Sequence, residues 1–144
     1  MTSNLHLNSL LKNEKHFLGC FHIRKMPKLQ RLKLPASLII YINGHWVSLL
    51  LVDKYLCLYF DSFGKGVQDK KLINNLKSVY NKIIFNKKKI QHNSSSKCGL
   101  YCLLYIILVR NRENFKKFLN LFVKRNLLMN DYILYCILKR NKLT

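Results

Sequence analysis

Residues Cys98 to Val109 form the longest apolar run of the chain, twelve positions without a charged or amide side chain. A strand is usually shorter, about 5–6 residues. A membrane span needs roughly 18 or more apolar residues. The run therefore reads as a helix, and a helix that is apolar nearly all round has to be buried. The chain has 144 residues, the size of one ordinary domain with a single core. No repeat and no Pro/Gly-rich linker divides it, so we read one domain over 1–144. The apolar content of 49% supports a globular chain.

Around that helix the patterning is mixed. Residues 4 to 12 are weakly helical, and the stretch from Phe17 through Pro27 reads as an irregular lead-in. Leu38–Ile42 is a short β-branched run, hence a strand. Trp46–Val52 is a second strand and Tyr55–Phe60 a third. A turn at Asp53-Lys54 joins these two longer strands into a hairpin. Asp69 to Phe85 places Leu72, Ile73, Leu76, Val79, Tyr80 and Ile83 at three- and four-residue steps, the pattern of an amphipathic helix. Lys87–Ile90 reads as a short basic strand leading into Gln91. Ser94 to Ser96 offers N-caps for a helix beginning at Lys97 or Cys98. Residues 113–125 and 129–140 read as further helices. The expected class is α+β: a small mixed sheet, a buried helix beginning at Cys98, and flanking helices.

Four residues in this framework carry chemistry. Cys98 falls in the first turn of the buried helix, where free backbone N–H groups and the helix dipole favour a thiolate. His45 lies between Gly44 and the second strand. Asp61 directly follows the third strand. A hairpin therefore brings Asp61 beside His45, where a carboxylate can hold the imidazole in the tautomer that accepts a thiol proton. Gln91 precedes Cys98 by seven residues. Its side-chain N–H, with the backbone N–H of Cys98, can face a developing oxyanion. Trp46, next to His45, is expected to shield the pair from water. Taken singly, these are an ordinary core cysteine, a surface histidine, a turn aspartate and a strand-pairing aromatic. Taken together, they supply the nucleophile, base, orienter and oxyanion donor of a cysteine hydrolase. His92 reads as a loop residue. His16, Cys20 and His22 lack a second ligand cluster, so no metal is expected.

Five cysteines, an odd number with no Cys-x-x-Cys pair, and an N-terminus without the pattern of a secretion signal point to free thiols in a reducing compartment. The net charge of +20 is strongly uneven. Residues 65–97 hold nine lysines and one acid, and residues 110–144 hold nine basic residues and two acids, while residues 35–64 are near neutral. Coding bias toward Lys, Asn and Ile accounts for part of this, but not for the scarcity of acids. Such an excess favours a polyanion. The expected phosphate contacts are Lys87, Lys88, Lys89, Lys116, Lys117, Lys124 and Arg125, peripheral to the catalytic groove.

Gly44-His45-Trp46, Tyr59-Phe60-Asp61-Ser62-Phe63-Gly64 and Gln91-x6-Cys98-Gly99-Leu100-Tyr101-Cys102 resemble the adenovirus protease (adenain) family. That family belongs to the wider Ulp/adenain-type papain-like group. Phe17-Leu18-Gly19-Cys20-Phe21, followed by Arg24 and Pro27, resembles its N-terminal Phe-Leu-Gly segment. The resemblance covers a catalytic core of about 16–108 and leaves basic C-terminal helices over 110–144. It implies a permuted papain-like fold and cleavage of virion precursor proteins at Gly-containing sites. It implies His45 as base, Asp61 as orienter, Gln91 as oxyanion donor and Cys98 as nucleophile. It also implies DNA as activator or track, and a place in the virion and host nucleus or an intracellular viral factory rather than a secreted one. No membrane partner is expected, and the chain is expected to be a monomer. Two departures stand out. Asp61 takes the place of the glutamate of adenovirus enzymes. No cysteine lies between Cys57 and Cys98 to hold a covalent peptide cofactor, so none is expected. Two other readings stay open: an Ulp-type protease acting on ubiquitin- or SUMO-like proteins, and a basic non-enzymatic DNA-binding virion protein.

Overall fold

A computed structural model describes residues 2–143. Helix α1 (Asn4–Leu10) is followed by β1 (Phe17–His22), β2 (Ala36–Ile42), β3 (His45–Leu51) and β4 (Leu56–Phe60). Then come α2 (Lys70–Val79), β5 (Lys82–Phe85), α3 (Cys98–Leu108), α4 (Arg112–Asn120) and α5 (Leu128–Arg140). The strands make one sheet in chain order. The two edge pairs, β1 with β2 and β4 with β5, are parallel, and the two central pairs are antiparallel. The protein is thus a single small α+β domain with a mixed five-stranded sheet, as the patterning implies.

Both faces of the sheet are buried. Ile39, Trp46, Leu50, Leu58 and Phe60 face α3, while Leu38, Ile40, Val47, Leu49 and Tyr59 share the opposite core with Leu72 and Leu76 of α2. That is the period-2 alternation of a strand, with both sets of side chains apolar. Helix α3 is the interior helix its composition demands: Tyr101, Cys102, Leu103, Leu104 and Tyr105 have no exposed surface. An aromatic cluster of Phe60, Tyr105, Phe115 and Phe118 locks it between sheet and α4.

Three elements differ from expectation. Residues 17–22 are a strand, parallel to β2, rather than irregular. The helix expected over 69–85 stops at Val79, because the segment after Tyr80 is captured by the sheet: Ile83 and Ile84 pair with Cys57 and Leu58 of β4. β-branched side chains fit such a pleated edge better than a last helical turn. Lys87 to Ile90, expected as a strand, makes no ladder and runs as an extended connection to Gln91.

The β2–β3 connection fixes the position of His45. Asn43 and Gly44 have φ of 50° and 78°. Two successive left-handed residues are what a tight two-residue hairpin turn requires, and Asn-Gly is its preferred sequence. The turn pairs Ile42 with His45 and so makes His45 the first residue of β3, at the end of the sheet.

Candidate active site

Asp61 follows β4 at the same end of the sheet as His45. Its backbone is clamped by the buried Asn86, which accepts from the Asp61 N–H at 3.1 Å and donates to its carbonyl at 2.6 Å. Its carboxylate accepts from His45 Nε2 at 2.7 Å and from the Phe63 N–H at 2.9 Å. The turn closes with the Gly64 N–H donating to the Asp61 carbonyl. Gly64 has a φ of 71°, and a side chain there would meet the Lys87 carbonyl at 2.7 Å. Both facts demand glycine. Sixteen residues apart in the chain, His45 and Asp61 are one hydrogen-bonded pair.

Nε2 is held by Asp61, and Cys98 lines the same groove, close enough for its sulfur and the imidazole to shift each other's protonation. Burial alone pushes the Cys98 thiol up, but it is outweighed by the His45 hydrogen bond, the Trp46 and Gly99 backbone N–H groups and the imidazolium charge, so the thiol lies below its ordinary value. Burial also works against a charged His45, but its hydrogen bonding to the Asp61 and Cys98 acceptors and their charges raise it to about 9. Both shifts run in the direction of a thiolate–imidazolium pair. Cys102, one turn further along α3, is the contrast. Wholly buried and without such a partner, it is held well above the usual thiol range. Burial likewise pushes Cys20 up to about 12.

The fourth expected residue, Gln91, lies with Cys98, His45 and Asp61 along one groove of about 470 Å³. Its amide is nearly fixed. Oε1 accepts from the Ser62 hydroxyl at 2.5 Å, and Nε2 donates to the Ser95 carbonyl at 2.9 Å. A carboxamide has two N–H donors, and the second is free to serve the groove. The Cys98 N–H, at the first position of α3, has no intrahelical acceptor. Gln91 and Cys98 line the same groove, so both donors belong to the wall beside the sulfur.

Other expectations change. Trp46 does not cover the pair: its ring turns away from the groove, packs edge-on against Tyr41 and donates to the Thr2 carbonyl. Alternation along β3 sends residues 45 and 46 to opposite faces. The ring stacked on His45 is that of Phe63, 4.6 Å away between centroids. The serines do not cap α3 directly. Its N-cap is Lys97, without a side-chain cap bond, and Ser95 Oγ accepts the Lys97 N–H instead. Ser62, Phe63, Asn86 and Ser95 support the site without having been singled out. The Asp-Ser-Phe-Gly sequence holds two of them in plain sight, whereas Asn86 and Ser95 carry no local signal. Support also comes from beyond residues 16–108, through Thr2 and through Asn130 and Asp131 of α5.

The basic residues divide. Lys87, Lys116, Lys117, Lys124 and Arg125 are exposed. Lys88 is not a free cation: its ammonium donates to the Leu119 and Phe122 carbonyls at 2.8 and 2.6 Å and caps the end of α4. Lys89 is not peripheral. It lies 5.5 Å from the Phe63 ring centroid, and Lys65 lies 5.9 Å from it, so both rim the groove. Among the described residues no group of three or more potential ligands could hold a metal ion. No family model matches the chain, and no curated protein matches it significantly in sequence.

Proposed function

We propose that the protein is a cysteine endopeptidase with a permuted papain-like fold of the adenain type, acting on virion precursor proteins. The observation that carries this reading is the imidazole of His45, hydrogen-bonded to the buried Asp61 and sharing one groove with a thiol at a helix start whose protonation it disfavours. An ordinary structural cysteine has no need of such a neighbour; Cys102 does without one.

The chemistry follows from the parts. The Cys98 thiolate attacks the scissile carbonyl carbon and forms a C–S bond, while the carbonyl oxygen gains charge opposite the Gln91 and Cys98 N–H groups. His45 passes its proton to the leaving amine as the C–N bond breaks, giving a thioester on Cys98. Neutral His45 then takes a proton from water, hydroxide adds to the thioester, and the C–S bond breaks to return thiolate, imidazolium and a carboxylic acid, which releases its proton to solvent as the carboxylate product. Asp61 holds the ring in place throughout. No metal or organic cofactor enters these steps. Exposed basic residues flanking the groove support DNA as an activator or track.

The reading is tested with a Gly-containing peptide and a thiol-directed electrophile. Wild type should hydrolyse the peptide and label at Cys98 well before Cys20 or Cys136. If neither hydrolysis nor selective labelling occurs, the protein is not a thiol protease, and a basic DNA-binding role takes its place. Labelling of Cys98 by a ubiquitin-type C-terminal probe, without peptide hydrolysis, would transfer the reading to the Ulp-type enzymes.

A further inference from the structure

The Gln91–Lys97 segment has no regular structure, yet it carries the residue that faces the oxyanion. Its neighbours hold it at both ends. At the first end, the Ile90 and Gln91 N–H groups donate to the Ser62 carbonyl at 2.9 and 3.1 Å. The Ile90 carbonyl accepts from Asn130 Nδ2 at 2.8 Å. Asn130 has no exposed surface, and its amide is fully spoken for. Nδ2 also donates to the Val123 carbonyl, and Oδ1 accepts the Val123 N–H. At the other end, Ser95 Oγ donates to Asp131 Oδ1 at 3.0 Å, and Tyr101 of α3 donates to the same oxygen at 2.8 Å. Ser95 is the residue whose carbonyl takes the Gln91 amide. Two consecutive side chains at the start of α5 thus grip the two ends of one loop.

We infer that Asn130 and Asp131 are positioning residues for the oxyanion donor: they hold the loop so that the Gln91 amide points at the groove. This rests on the proposed protease function for its catalytic meaning. The physical reason is geometric. A helix-borne donor would be held by its own backbone ladder, whereas a loop-borne donor needs external bonds, and a displacement of about 1 Å is enough to cost on the order of 10²-fold in rate. Asp131 reaches Gln91 through Ser95, and it also ties the loop to α3, the helix that carries Cys98. Donor and nucleophile therefore share one anchor.

The test compares Asp131→Ala, Asp131→Asn and Ser95→Ala with Gln91→Ala in the full chain. Asp131→Ala should lower kcat about 10²-fold with KM little changed. Alkylation of Cys98 by iodoacetamide, which forms no oxyanion, should stay at the wild-type rate. Asp131→Asn keeps an acceptor oxygen and should recover most of the loss. Ser95→Ala should repeat the Asp131→Ala effect without disturbing Tyr101. In a Gln91→Ala background, Asp131→Ala should add little, because the group it positions is gone. An equal further loss in that background, or slowed alkylation, would overturn the inference. Amide hydrogen exchange reads the clamp without turnover: Asp131→Ala should deprotect Ser95 and Lys97 while the middle of α3 stays protected. Unchanged protection overturns the inference whatever the protein hydrolyses. A deprotected loop in a chain whose wild type hydrolyses nothing would sink the protease reading and leave the clamp standing.

Discussion

The two walls of the groove are built in opposite ways. On one, His45 and Asp61 stand at the ends of β3 and β4, and strand pairing does most of the positioning. On the other, Gln91 sits in a loop with no ladder, held by side chains from the β4–α2 turn and from α5. Cys98 lies between them at the start of α3. The sheet wall makes the acid–base pair robust, because each residue inherits its place from a register shared by many hydrogen bonds. The loop wall depends on a few individual bonds, each of which can be removed alone.

The largest effect should separate Cys98 from the rest of its own helix. Cys98→Ala should reduce hydrolysis to background and leave the fold intact. Cys102→Ala should keep most of the activity and lower thermal stability, because it empties volume in a close-packed interior. A dead Cys102→Ala beside an active Cys98→Ala would break the comparison at its centre.

Next come the two residues of the sheet wall. His45→Ala should cost roughly 10²–10⁴-fold in kcat/KM, the usual worth of a positioned acid–base group. Asp61→Asn should cost less, since it keeps a hydrogen-bonding shape. The double variant should be no worse than His45→Ala, because the pair works as a unit. Steady-state kinetics on the four proteins decide it; additive losses would mean that Asp61 acts on something other than the imidazole.

A pH series sharpens the same wall. Alkylation of Cys98 should begin below the ordinary thiol value of 9.0. In His45→Ala the onset should move upward, since burial then acts unopposed. Turnover should fail again on the alkaline side near pH 9, as His45 loses its proton. For stability the sign is fixed by the raised value. The charged His45–Asp61 interaction contributes fully below His45's ordinary 6.5 and is lost as pH climbs through about 9. Asp61→Asn should therefore lower Tm more at about pH 6 than at about pH 10. The reverse order would show that the imidazole is neutral in the folded protein.

The smallest effects should come from the two turns that serve the sheet wall. Gly44→Ala meets no close neighbour and bears only the left-handed backbone cost, about 1–2 kcal/mol. Gly64→Ala bears that cost and drives a methyl into the Lys87 carbonyl and the Lys88 backbone. Denaturant melts should rank Gly64→Ala clearly below Gly44→Ala. Because Lys87 and Lys88 lead into Gln91, Gly64→Ala should also cost turnover, and Gly44→Ala should cost less of it. Equal behaviour would mean that the two walls are not joined through that contact.

Much of the sheet wall was legible in the sequence. Short apolar, β-branched runs placed the strands, and the hairpin spacing brought Asp61 to His45 across sixteen residues. The unbroken apolar run placed α3 and, with it, Cys98 at a helix start. Asn43-Gly44 could have yielded the β2–β3 hairpin as well; its turn chemistry is a local signal that the Gly-His-Trp reading passed over. These features depend on interactions between near neighbours, so composition and periodicity carry them. Tertiary structure decided the rest. Whether residues 82–85 finish a helix or join a sheet depended on a free edge of β4 being within reach, and periodicity cannot see an edge. Which aromatic ring covers His45 depended on the path after Asp61. Lys88 became a cap for α4, and Asn130 and Asp131 became the brace of the Gln91 loop, because polar groups buried by folding must find partners wherever the chain happens to bring them. Those partners lie thirty to forty residues away in sequence. At such separations no spacing rule links two side chains, and the packed domain alone determines which of them meet.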